Sequence, residues 1–97
     1  MVLVLIRYLK PLAEVQNGRA AHRAFLDECV ASGHLIVSGP REDQTGGILL
    51  ARGRSVDEVK AVFARDPFQT SGTASYEFVE FTPAKHAPGF AAFVAPA

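Results

Sequence analysis

The sequence predicts an α+β domain in which two helices lie against a four-stranded antiparallel sheet, in the order βαββαβ. Three observations carry this expectation. Residues 2–8, VLVLIRY, form an unbroken aliphatic and β-branched run, as a strand in the middle of a sheet would. Two stretches with helical apolar spacing, about 12–32 and from near Val56 to Pro67, are separated by two short apolar runs joined by a polar loop. A last apolar run follows the second helix, so the chain repeats a β-α-β half.

Each element has its local reason. The first ten residues, MVLVLIRYLK, lack a basic region before the apolar run and a small-residue cleavage site after it, so they read as a strand and not as a secretory leader. Pro11 opens the first helix, whose apolar stripe is Leu12, Val15, Phe25, Leu26, Cys29 and Val30. Asn17-Gly18 interrupts that stripe, either as a weak point or as a turn that delays the main helix until about Arg19. Gly33 suits the C-terminal cap. HLIVSGP (34–40) and GILLAR (47–52) read as a hairpin around EDQTGG. Ser55 and Glu58 form a capping box for the second helix, and Pro67 stops it. ASYEFVEF (74–81) is the fourth strand. The expected division is a domain over 1–83 and a Pro/Ala-rich tail over 84–97 that carries Phe90 and Phe93.

Bulk properties exclude several classes. Ninety-seven residues make one domain, and 48% hydrophobic with 21% charged residues is the composition of a folded chain. Ten basic residues balance ten acidic ones, so nucleic acid is not an expected partner. No apolar run reaches the length of a membrane span, and no membrane association is expected. The one cysteine, Cys29, cannot form an intramolecular disulfide, which suits a reducing, cytoplasmic compartment, and it reads as a small core residue.

This order of elements is ferredoxin-like, with both helices on one face of the sheet. The apolar character of strands 1 and 3 then asks for a cover on the other face. A second copy of the chain packed sheet against sheet supplies one, giving a homodimer; the tail folded over that face is the rival.

His22 lies three, four and seven residues before Phe25, Leu26 and Cys29, so it sits on the apolar stripe of the first helix. Asp66 continues the apolar face of Val59, Val62 and Phe63 in the second. If the first helix begins near Leu12, both are about ten residues into helices that start from the same end of the sheet, hence roughly 15 Å along each. Adjacent helices pack about 8–10 Å apart, close enough for the two side chains to meet. A carboxylate bonded to one imidazole nitrogen fixes the tautomer and makes the other nitrogen a better base. The bland alternatives are a satisfied core histidine and a helix-end aspartate. Ser38-Gly39-Pro40 places a hydroxyl and backbone N–H groups at a strand end, a usable ligand corner or simply a tight turn. Arg7 is the polar residue of an apolar strand; it suits an anionic ligand group, a snorkelling position or an interface. His22, His34 and His86 lack metal-ligand spacing, and neither a metal nor another cofactor is expected.

With these residues in hand, the chain resembles the YciI-like (YCII-related) family. The resemblance rests on LVLIRYLKP, AHRAFLD around His22, GHLIVSGP, TGGILLA, ARDPF with Asp66 and Phe68, and YEFVEFTP, in this order over about 1–83. It implies a ferredoxin-like dimeric α+β barrel similar to muconolactone isomerase. It also implies an active site on a His–Asp pair, which falls here on His22 and Asp66. A related dehydrochlorinase acting on a hydroxylated aromatic implies acid–base chemistry without a metal. The expected function is therefore a small enzyme using His22 and Asp66 for proton transfer, isomerisation or elimination on a small cyclic or oxygenated molecule, with Arg7, Ser38, Gly39, Pro40 and Phe68 around the substrate. The alternatives are a non-catalytic dimeric module that binds a small ligand, and a structural dimer with a buried His–Asp pair.

Overall fold

A computed structural model of the chain describes residues 1–94. Its elements are β1 (Val2–Tyr8), α1 (Leu12–Ser32), β2 (Leu35–Pro40), β3 (Gly46–Ala51), α2 (Val56–Phe63), α3 (Pro67–Thr70) and β4 (Ala74–Glu80), then a 3-10 turn at Pro88–Phe90 and a final helical turn α4 (Ala91–Val94). The sheet runs β2-β3-β1-β4 with every pairing antiparallel, the ferredoxin-like arrangement that the sequence predicts. β1 is central, between β3 and β4.

Alternation along the strands separates two faces. On one, Val2, Val4, Ile6, Leu35, Leu49, Ala51 and Ala74 are buried beneath Val15, Phe25 and Cys29 of α1, Val59 and Phe63 of α2, and Phe68 of α3. The other face carries Leu3, Leu5, Val37, Ile48, Leu50 and Val79, and in the single chain Val37, Ile48 and Val79 remain 57%, 42% and 41% exposed.

The helix α1 is continuous through Asn17-Gly18. Its buried line is Val15, Phe25 and Cys29, while Leu12 and Val30, assigned to the stripe from sequence, are exposed because they lie off that line at the helix ends. Gly18 falls on the line, and a β-carbon there would sit 3.3 Å from the Phe68 ring, so the missing side chain makes room for α3. Gly33 closes the helix at φ 86° with its N–H on the last-turn carbonyls, as the sequence predicts. Ser55 caps α2 by accepting from the Glu58 N–H.

A register shift between Leu35 and Val37 inserts one extra residue into β2. Past it, Ser38 stands opposite Leu49 and Pro40 opposite Gly47, both on the helix-covered face. Without the extra residue the period of two would turn Ser38 to the open face. The bulge therefore decides what this edge strand presents to the helices.

The tail runs back to the sheet end. Arg52 donates to the carbonyls of Gly33 (3.0 Å), Phe93 (3.3 Å) and Ala92 (3.4 Å), and its guanidinium lies 5.9 Å from the Phe93 ring centre. Residues 84–94 thus leave the open sheet face uncovered; 95–97 of the tail lie outside the described residues. Among the described residues, no helix is long and apolar enough to cross a membrane.

Candidate active site

Asp66 is not a residue of α2. That helix ends at Phe63, because a residue before proline is pushed from helical to extended backbone, and Asp66 is extended at φ −61°, ψ 128°. Pro67 then opens α3 as its first residue, and Asp66 becomes the N-cap, its Oδ1 accepting from the Phe68 N–H at 3.0 Å. The equal-depth reasoning from two helices is thereby replaced, but its consequence holds. His22 Nδ1 lies 2.9 Å from Oδ1 and 2.9 Å from Oδ2 of Asp66.

The carboxylate is fully buried, and a third donor completes its shell: the Tyr76 hydroxyl donates to Oδ2. Burial, reinforced by that hydrogen bond and by the Asp66 charge, pushes the Tyr76 phenol well above its ordinary range, so Tyr76 stays protonated and acts only as a donor toward Asp66. A buried charge held by three donors is the condition under which a carboxylate survives in a core.

Asp66 accepts at both oxygens, so Nδ1 of His22 carries the proton and Nε2 of the neutral ring is the free base. Nε2 has no hydrogen-bond partner among the described residues, and His22 lines a cavity of about 270 Å³. Phe68 stacks flat on the imidazole, centres 4.0 Å apart and planes within 5°, and is itself met edge-on by Tyr8 at 6.2 Å. Between Asp66 on one edge and Phe68 on one face, the ring is fixed in position and tilt. The floor of the cavity is apolar: Ile6, Leu26 and Leu49.

Of the other candidates, Ser38, Gly39, Pro40 and Phe68 line this cavity, Ser38 and Pro40 because of the bulge in β2. Arg7 does not. It alternates with Ile6 and Tyr8 on β1 and points from the open face. The sequence reading missed Tyr76, Tyr8, Arg19 and Arg23. Tyr76 had a legible signal, since a tyrosine on the buried face of a strand needs a partner for its hydroxyl. Arg19 and Arg23 are one helical turn apart on α1, and both line the cavity.

A second histidine–carboxylate pair lies elsewhere. His34 Nε2 is 3.0 Å from Glu58 Oε1, and His34 Nδ1 is 2.8 Å from Ser32 Oγ. The His34 bond holds the Glu58 carboxyl below its usual range. Ser32 also donates to the Cys29 carbonyl, and Glu58 also accepts from the Arg54 N–H, so the group ties α1, β2 and α2 together. It does not border this cavity. Cys29 is buried in the core, and burial pushes its thiol up to about 11.

Comparison with known proteins bears on the fold and the family. A search of curated proteins finds no match. Among solved structures, the fold is similar to 5-chloro-2-hydroxyhydroquinone dehydrochlorinase from Burkholderia phenoliruptrix in complex with 2,5-dihydroxybenzoquinone. The TM-score is 0.68 and the identity 27%, over 92% of this chain and 98% of that one. The model of the YCII-related domain matches residues 1–82, which takes in every element from β1 to β4 together with both His22 and Asp66, and the chain belongs to that family.

Proposed function

We propose that this protein is a small acid–base enzyme acting, without a metal, on a small cyclic or oxygenated molecule. The observation that carries it is the His22–Asp66 pair: Nδ1 held at 2.9 Å by a fully buried carboxylate, Nε2 left for the cavity. In this reading Nε2 takes a proton from the substrate, and the positive charge formed on the ring is offset at Nδ1 by Asp66. The same nitrogen then returns the proton to another substrate atom, which completes an isomerisation, or to solvent after an anionic leaving group departs, which completes an elimination. Ser38, Gly39 and Pro40 border the ligand, and Phe68 holds the base. The dehydrochlorinase neighbour supports a hydroxylated, halogenated ring as the first substrate to try.

The test is turnover on a panel of hydroxylated and chlorinated hydroquinones and small cyclic lactones, with wild type, His22→Ala and Asp66→Asn compared. Ligand-induced thermal stabilisation without turnover on any member would favour the non-catalytic module instead.

We also infer that two copies associate through the open sheet face, joining at Leu3, Leu5, Ile48 and Leu50, with Arg7 at the border. Support comes from the six aliphatic side chains on that face, which the described part of the tail leaves bare.

A further inference from the structure

The cavity beside His22 has a charge pattern that a general base does not require. On α1, Arg19, His22, Arg23 and Leu26 follow one another at i, i+3, i+4 and i+7, a single stripe facing the cavity. Two arginines thus share the cavity lining with the imidazole. Neither makes a hydrogen bond or an ion pair with any side chain among the described residues. The carboxylate nearest to His22, Asp66, meets the ring edge at Nδ1 and is fully buried outside the lining, and among the described residues no aspartate or glutamate lines this cavity. The nearby Arg41 is by contrast already committed, donating to Asp43 at 3.1 Å. A second cavity, about 330 Å³, adjoins the first through Tyr8, Arg19 and Pro40, and its lining adds Arg41 and the acidic Glu42. Among the described residues, the lining of the His22 cavity thus carries two arginines and no carboxylate, while the adjoining cavity carries an acidic residue as well.

We propose that the site selects a substrate of about one ring in size that carries an anionic oxygen group, a carboxylate or a phenolate, and that Arg19 and Arg23 receive that group. This rests on the acid–base reading of the same cavity and names its substrate class. The apolar floor of Ile6, Leu26 and Leu49 takes the ring. The planar donor forks of Arg19 and Arg23 match a carboxylate or a pair of adjacent oxygens, and Arg is the residue suited to such bidentate contacts. The same charges act during reaction. Removing a proton next to a carbonyl builds negative charge on oxygen, and cations already oriented there stabilise it without reorganisation. The anion-binding part assigned from sequence to Arg7 thus falls to residues on α1, since Arg7 is on the other face of the sheet.

The experiment uses two probes of the same shape that differ in charge, benzoate and benzamide. Each is titrated into the full-length protein in low-salt buffer, while NMR follows the His22 and Phe68 ring signals. Benzoate should move both rings and bind at least about tenfold more tightly than benzamide, a difference of ~1.4 kcal/mol. In Arg19→Gln/Arg23→Gln the preference should fall below roughly threefold through loss of benzoate affinity, and in wild type it should weaken as salt is raised. Equal affinities in wild type, no binding of benzoate, or a preference that survives in the double variant would each overturn the proposal. The measurement involves no turnover. Charge selection without turnover on the substrate panel would sink the acid–base reading and keep this one, and turnover without charge selection would do the reverse.

Discussion

Both carboxylate oxygens of Asp66 lie 2.9 Å from one atom, Nδ1 of His22. A contact shared equally by both oxygens commits Nδ1 as the donor. Long-range ¹H–¹⁵N spectra of the neutral ring should therefore show a protonated Nδ1 and a bare Nε2. Asp66→Asn, which offers an amide in the same volume, should mix the tautomers and lower turnover by roughly 10²-fold or more; His22→Ala should remove the base term, about 10²–10⁴-fold. An unchanged tautomer ratio in Asp66→Asn would show that the pair does not orient the base.

Asp66 is also structural, and size separates its two parts. Asp66→Ala removes the cap of α3, worth about 1 kcal/mol, and strands the buried Phe68 N–H and Tyr76 hydroxyl at ~1–3 kcal/mol each. Tyr76→Phe removes one bond only and should cost about 1 kcal/mol. Urea unfolding should rank the variants Asp66→Ala below Tyr76→Phe below wild type. Equal loss in the two would mean that the shell around the carboxylate is not what holds α3.

Alkaline pH should weaken the fold through Cys29 and Tyr76. The Cys29 thiol ionises near 9 in the unfolded chain and only near 11 when buried, so the unfolded state loses its proton first. That contribution to stability is complete below about pH 9 and disappears as pH rises to about 11. Tyr76, raised in the same direction, extends the decline further up. Urea midpoints at pH 7, 9 and 10.5 should fall in that order, and Cys29→Ala, though less stable throughout, should show a shallower fall over the same interval. A thiol reagent at neutral pH should leave Cys29 unmodified until the chain is unfolded.

Two of the three glycines in the β2–β3 hairpin, Gly46 and Gly39, carry opposite expectations. A β-carbon on Gly46 would lie 1.7 Å from the Ile6 carbonyl oxygen, so Gly46→Ala must push β3 away from β1 and should cost about 3 kcal/mol or more. Gly39 has nothing within 4 Å of the same position, and Gly39→Ala should change stability by no more than about 0.5 kcal/mol. Thermal melts of the two variants check the contrast.

Association through the open face predicts a mass of twice 10.4 kDa in light scattering at micromolar concentration. Ile48→Lys places a charge in the middle of that face and should yield monomers that retain the α+β circular dichroism spectrum. A wild-type monomer would leave the face without the cover inferred here.

How much of this was legible in the residues follows from the range of the forces involved. Periodicity, caps and breakers act within a few residues, so the strands, the span of α1, the Gly33 cap and the Ser55 start of α2 could be read from the chain alone. The inward placement of His22 could too, since it follows from a helical stripe. Three features depended on elements meeting in space. Asp66 reaches His22 not as a helix residue but as the cap of a turn begun by Pro67, and the chain shows only that the helix must stop somewhere before that proline. Ser38 faces the cavity because β2 slips by one residue against β3, a register set by pairing between strands and not by either strand's own pattern. Arg7 and Arg19 are equally charged on paper, and only the sheet, whose alternate side chains leave by opposite faces, puts one on the bare side and the other beside the base.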